Sequence, residues 1–202
     1  MMILGHESLQ SADKAGRILE AARGLFMSIG LKNTSIEEIA TKAGLGKGTV
    51  YLYFKSKEEI FLNLAENFHR DLHIAIDEAC NAATTPTDKL RAYVETRIRF
   101  WARTHQVYGL NKMSLYEAMS TPTSFAVRKP YIAGDMEMIK SILEEGISRG
   151  EFSFSNPSRV AAVLFSMLDA LSLPWDQEGS LVSSEEIVKS YSSLLLNGLA
   201  TR

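Results

Sequence analysis

Cysteine is almost absent from this chain of 202 residues: Cys80 stands alone, so no intrachain disulfide can form. A reducing compartment is the expected setting. No apolar run approaches the roughly 20 residues that a membrane-spanning helix needs. The opening MMILGHESLQ lacks the charged start and long apolar core of a signal peptide. A cytoplasmic chain without membrane association is therefore expected. Charge of one sign is also missing, since the formal net charge is −2, which argues against a globally basic nucleic-acid binder. No low-complexity tract, internal repeat or alternating strand pattern is present. Nothing groups as a Ser/His/Asp or Cys/His arrangement, and no enzyme activity or cofactor is expected. His69, His73 and Asp77 share a helical face at i, i+4 and i+8. Three ligands fall short of the four that structural zinc sites take, so no metal is expected.

What is present is uneven. Residues 1–57 carry eight Lys/Arg against five Asp/Glu, a balance of +3 that leaves −5 for the remainder. A small phosphate-facing head on an acidic body fits that division. Inside the head lies Thr34–Lys57, TSIEEIATKAGLGKGTVYLYFKSK. Ser35 with Glu38 forms a capping box, and Ile36, Ile39, Ala40 and Ala43 give the helix that follows one apolar face. Gly44 ends it, because glycine takes the left-handed conformation of a helix C′ position without a Cβ clash. A second short helix opens at Gly46 and Lys47 and runs through Tyr53; Ser56 with Glu59 caps a third. Two short helices around a glycine turn read as a helix-turn-helix. GLGKGT is not a Walker loop, because Gly48 separates Lys47 from Thr49 and a helix rather than a buried strand precedes it.

A recognition helix presents base-reading side chains from its first turns. Lys47 supplies a cation there, Gly48 permits close approach of the backbone, and Thr49, Tyr51 and Tyr53 supply hydroxyls for phosphate oxygens. Val50 and Phe54, at i and i+4, suit the core instead. Thr34, Ser35 and Lys57 stand at helix starts on either side. The run T-S-I-x-x-I-A-x-x-A-G-L-G-K-G-T-V-Y-x-Y-F-x-S-K-E-x-I resembles the DNA-binding segment of the TetR/AcrR-type transcriptional regulators, over roughly Ile18 to Leu64. The resemblance implies that Thr34, Lys47, Thr49, Tyr51, Tyr53 and Lys57 contact DNA. Gly46 and Leu52 depart from the family's usual Ser or Ala and His, so the operator sequence does not carry over.

The expected fold is all-α, about nine helices, with a helix-turn-helix domain over 1–57 and an effector-binding and dimerisation bundle over 58–202. Residues 1–12 are expected to fray before a helix through Ile18, Ala22 and Phe26. A long connector starts at Ser56. Thr85-Pro86 and Asn156-Pro157 each place a cap before a proline at the first helical position. A further helix is expected near 106–119, and Pro130 is expected to begin or kink the next one. Trp101, Tyr108, Met113, Tyr116, Met119, Phe125 and Phe165 are large, adaptable side chains that suit an apolar effector pocket, or else ordinary core. Arg97, Arg99 and Arg103 share a helix and are expected to be solvated. Val160, Leu164, Met167, Leu168 and Leu171 on one helix, with Val188, Tyr191 and Leu195 on the last, are greasy enough for core or for a subunit interface. The resemblance implies a four-helix bundle between two copies, and two recognition helices must in any case sit about 34–36 Å apart on DNA. The expected function is a ligand-responsive repressor, released from double-stranded operator DNA by a small apolar or aromatic effector. The alternatives are an activator, an effector-independent regulator, or a helical protein-interaction module.

Overall fold

The computed structural model describes residues 4–108, 121–170 and 184–199, with side chains described over 13–103, 121–170 and 185–194. Eight helices and no strands occur among the described residues. They are α1 (Leu4–Ile29), α2 (Ile36–Ala43), α3 (Lys47–Tyr53), α4 (Lys57–Ala82), α5 (Pro86–Tyr108), α6 (Pro122–Ser148), α7 (Pro157–Ala170) and α8 (Ser184–Leu199). The helix expected near 106–119 falls mostly outside the described residues.

Two boundaries differ from the sequence reading. Helix α1 begins at Leu4 rather than after residue 12. No proline or glycine interrupts residues 6–15, so nothing there stops the helix from extending. Helix α6 begins at Pro122 and holds Pro130 inside it. The stronger start signal is Thr121, whose hydroxyl accepts the Ser124 N–H at 3.1 Å, followed by proline at the first helical position. Pro130 removes one main-chain donor from the interior, a cost of roughly 3 kcal/mol in a free helix that packing must offset here. The two caps that precede Pro86 and Pro157 form as read. Thr85 accepts from Asp88 N at 3.0 Å, and Asn156 Oδ1 accepts from Arg159 N at 2.9 Å.

The chain divides into two compact units, Met1–Phe68 with Tyr108–Val127 and His69–Val107 with Arg128–Arg202. The first is built on a single apolar cluster. Ile18, Ala22, Ile39, Val50 and Ile60 are fully or almost fully buried, and Phe26 meets Phe61 edge-on with ring centroids 6.2 Å apart. In the second, Leu72, Ile76, Leu90, Val94, Ile139, Leu143, Leu164 and Leu168 are buried, drawn from α4 to α7. Its α6–α7 turn is held by Glu151, which accepts from the Thr87 N–H at 3.0 Å and the Thr87 hydroxyl at 2.7 Å.

Candidate nucleic-acid interface and the buried polar cluster of the body

The turn between α2 and α3 is fixed on both sides. Ser35 Oγ accepts the Glu38 N–H at 3.2 Å while the Glu38 carboxylate accepts the Ser35 N–H at 2.8 Å, the reciprocal capping box. Gly44 takes φ 65°, the left-handed conformation, and Leu45 N–H returns to Ala40 O at 2.9 Å. Arg17 of α1 donates to Ala43 O at 2.7 Å and to Gly44 O at 3.3 Å, tying the turn to the first helix. Gly46 then caps α3 with extended backbone, and Val50 alone of the α3 residues is fully buried. One anchor point leaves most of this short helix facing solvent.

The side chains expected to meet DNA fall into two groups. Lys47, Gly48 and Tyr51 are exposed, Thr49 and Tyr53 half-buried. Lys47 pairs with Glu37 of α2, with its ammonium 5.9 Å from the centre of the Tyr51 ring. Glu37, through that hydrogen bond with Lys47, is held below the usual carboxylate range, and Lys47 is raised by the same contact. Both partners are open to water, so a phosphate can compete for Lys47 at little cost. The second group acts as scaffold. Thr34 is buried, its hydroxyl donating to Gly30 O at 2.8 Å, which departs from the expected phosphate clamp. Lys57 donates to Lys32 O at 2.9 Å and Thr34 O at 2.8 Å, so its ammonium holds the loop before α2. Ser56 accepts the Glu59 N–H at 3.2 Å, but Glu59 reaches Lys55 N at 2.6 Å instead of closing a box on Ser56.

The second unit buries charge. Arg97 of α5, expected in solvent, is 4% exposed. It donates to Asp135 Oδ2 at 2.7 Å and to Asp169 Oδ1 at 3.5 Å, and its guanidinium lies 4.9 Å from the centre of the Phe165 ring. Arg128 donates to both Asp169 oxygens, at 2.9 and 3.2 Å. Burial opposes the charge on Arg97, but Tyr93, Asp135 and Asp169 more than restore it. His73 Nε2 lies 3.5 Å from Asp135 Oδ1, and that carboxylate raises the histidine's pKa. His69 stacks on Tyr131 with centroids 5.3 Å apart; burial, with Arg128 and Arg97 nearby, pushes its pKa down to about 4. Among the described residues no group of His, Cys, Asp and Glu is arranged to hold a metal ion. Among the described residues, Arg97 Nε, Tyr191 Oη and Ser192 Oγ are buried donors without an acceptor.

Residues 18–64 match the family model of bacterial regulatory proteins, tetR family, and residues 83–199 match the tetracyclin repressor-like C-terminal domain. The chain belongs to the TetR family of regulatory proteins. It is a DNA-binding transcriptional regulator built on a helix-turn-helix. Among relatives, the uncharacterized HTH-type transcriptional regulator YhgD of Bacillus subtilis is 27% identical over 94% of this chain and 98% of its own. The HTH-type transcriptional repressor KstR2 of Mycolicibacterium smegmatis is 26% identical over 94% and 92%. The fold is shared with the transcriptional regulator FadR from Bacillus subtilis, solved in complex with stearoyl-CoA. The TM-score is 0.75 at 23% identity, over 90% of this chain and 97% of that one.

The expected pocket residues of this TetR-family chain differ in burial. Trp101 and Phe165 are buried, and Phe125 is 56% exposed. Met113, Tyr116 and Met119 lie outside the described residues, as does the Tyr108 side chain. The expected interface residues divide too. Leu164, Leu168 and Val188 belong to the chain's own core, Val160 and Tyr191 are half-buried, and Met167 is exposed. Leu171 and the Leu195 side chain lie outside the described residues. On α7 and α8 the exposed large apolar side chains among the described residues are Val163, Met167 and Leu194. Apolar periodicity cannot separate the two faces of a helix that is greasy on both. No helix among the described residues is long and apolar enough to cross a membrane.

Proposed function

We propose that the chain is a cytoplasmic, dimeric repressor without enzymatic activity, released from its operator by an effector with an apolar body and an uncharged polar group. The observation that carries the DNA reading is α3 itself, which buries Val50 and turns Lys47, Gly48 and Tyr51 to solvent. Thr49 and Tyr53 join these as contacts, while Thr34, Ser35 and Lys57 hold the helix starts. Two copies meet through the exposed Val163, Met167 and Leu194, bringing two recognition helices to operator spacing. The effector's place is the second unit, where Arg97 Nε, Tyr191 Oη and Ser192 Oγ are buried with no acceptor among the described residues. Each buried donor left unpaired costs roughly 1–3 kcal/mol, so an effector oxygen that meets one of these donors gains that much in the bound state. The cluster's two arginines are balanced by Asp135 and Asp169, which disfavours a further anion. The FadR fold, found with stearoyl-CoA, is consistent with an apolar tail. Helix α4 carries both Lys57 and His73, so a shift at the histidine end reaches the loop before α2; the effector must prefer one arrangement over the other.

Fluorescence anisotropy with an operator selected from random duplexes tests both halves. Binding is expected to weaken steeply with salt, and Lys47→Ala to weaken it severalfold while sedimentation still shows the dimer. Lauryl alcohol is expected to displace DNA, and laurate to leave it bound. Unaltered binding by Lys47→Ala would remove α3 as the reading helix, and release by laurate alone would overturn the uncharged group.

A further inference from the structure

Leu52 is 83% exposed, more than any other large apolar side chain among the described residues. Its place on α3 is set by helix geometry. At about 100° per residue, with the buried Val50 marking the inward direction, Leu52 lies about 200° around in one sense and Gly48 about 200° in the other, so the two stand only about 40° apart on the outer side. Gly48 and Leu52, one turn apart, therefore form the crest of the helix, with Tyr51 and Thr49 on its shoulders. A Cβ built on Gly48 meets nothing within 4 Å, so the crest is bare backbone followed by an isobutyl group.

Leucine has no donor or acceptor for a phosphate oxygen. The apolar feature that a major groove offers is the C5-methyl group of thymine. The bare backbone at Gly48 brings the helix close enough for a branched side chain to reach the base edge. We propose that Leu52 is a specificity-determining residue that reads a thymine methyl group in each half of the operator. The proposal rests on the DNA-binding reading above and adds the base it selects.

The test uses the full chain and its selected operator, with each thymine replaced in turn by uracil, which removes only the methyl group. At one thymine or more in each half-site, wild-type affinity is expected to fall about fourfold, the factor carried by one buried methyl. Leu52→Ala is expected to bind the thymine and uracil duplexes equally, with unchanged helicity because the residue is 83% exposed. Lys47→Ala is expected to bind more weakly and keep the thymine preference. A thymine preference that survives in Leu52→Ala, or no methyl-sensitive position at all, overturns the assignment. So does a Leu52→Ala variant that reads DNA normally and changes only its self-association. Failure of the wild-type chain to bind any duplex removes the DNA-binding reading itself, and this assignment with it.

Discussion

The two units solve the problem of a core in opposite ways. From Ile18 to Ile60 the head buries aliphatic and aromatic side chains, and Thr34 is the one polar residue among them. Its charges, Lys47 with Glu37 and the Glu38 cap, stay in water. The body buries Arg97, Asp135, His69 and Ser192 amid its leucines and isoleucines. An apolar core is insensitive to pH and tolerates imperfect neighbours. A buried ionic network depends on every partner, because a charge that loses its counter-ion has no water to replace it. The head is thus a stable platform for presenting one helix, and the body a device in which a small change of partners has a large energetic consequence.

The largest effect expected from this contrast is at Asp135. Asp135→Ala leaves Arg97 buried with only Asp169 at 3.5 Å, and a loss of roughly 3–5 kcal/mol is expected in urea unfolding. Arg97→Met combined with Asp135→Leu is expected to cost far less, since it removes both charges together. If the single and double variants were equally unstable, packing rather than charge would be what the pair supplies.

Acid gives the next effect. His69 has a folded pKa of about 4, below its ordinary value of 6.5, so the unfolded chain takes up the proton first as pH falls. Stability is therefore expected to drop from about pH 6.5 and to reach its full loss below about pH 4, by roughly 3 kcal/mol. His73 works the other way: its raised pKa gives stability present below 6.5 and lost as pH rises through the folded value. Arg97, Arg128 and Asp135 all face this pair. His69→Phe, which keeps a ring against Tyr131, is expected to flatten the acid limb. An unchanged limb would place the acid sensitivity elsewhere.

The smallest effect belongs to the head. Ser35→Ala removes the acceptor for Glu38 N–H and is expected to cost roughly 1 kcal/mol in thermal unfolding, with no added pH dependence. A larger loss would mean that the start of α2 holds more of the head than its own first turn.

Much of the head was legible because its signals are local. Ser35 with Glu38, Gly44 and the start at Lys47 each act within one turn of helix, and each appears where the sequence puts it. Leu52 was visible as a departure from the family pattern, but its position at the crest emerges only once Val50 is known to be the inward residue. The reading misplaced Thr34 because a threonine before a helix serves a phosphate or its own backbone equally well, and here the Gly30 carbonyl takes it. Arg97 was misplaced because the i, i+3 and i+4 pattern gives the face of a helix but not the partner opposite. Asp135 lies 38 residues away and Asp169 lies 72 away.

The sequence by itself determined that the chain is helical, where most helices begin, that residues 34–57 form a helix-turn-helix, and which family the chain joins. All but the family follow from capping, periodicity and the conformational freedom of single glycines, which are short-range properties, and the family follows from the resemblance of the motif over residues 34–57. The tertiary structure alone decided which apolar faces turn inward, which lysines are bound to carbonyls, and that two arginines and two aspartates share one buried cluster. Those outcomes depend on the meeting of residues far apart in the chain, and burial, which sets the strength of each charge, exists only after they have met.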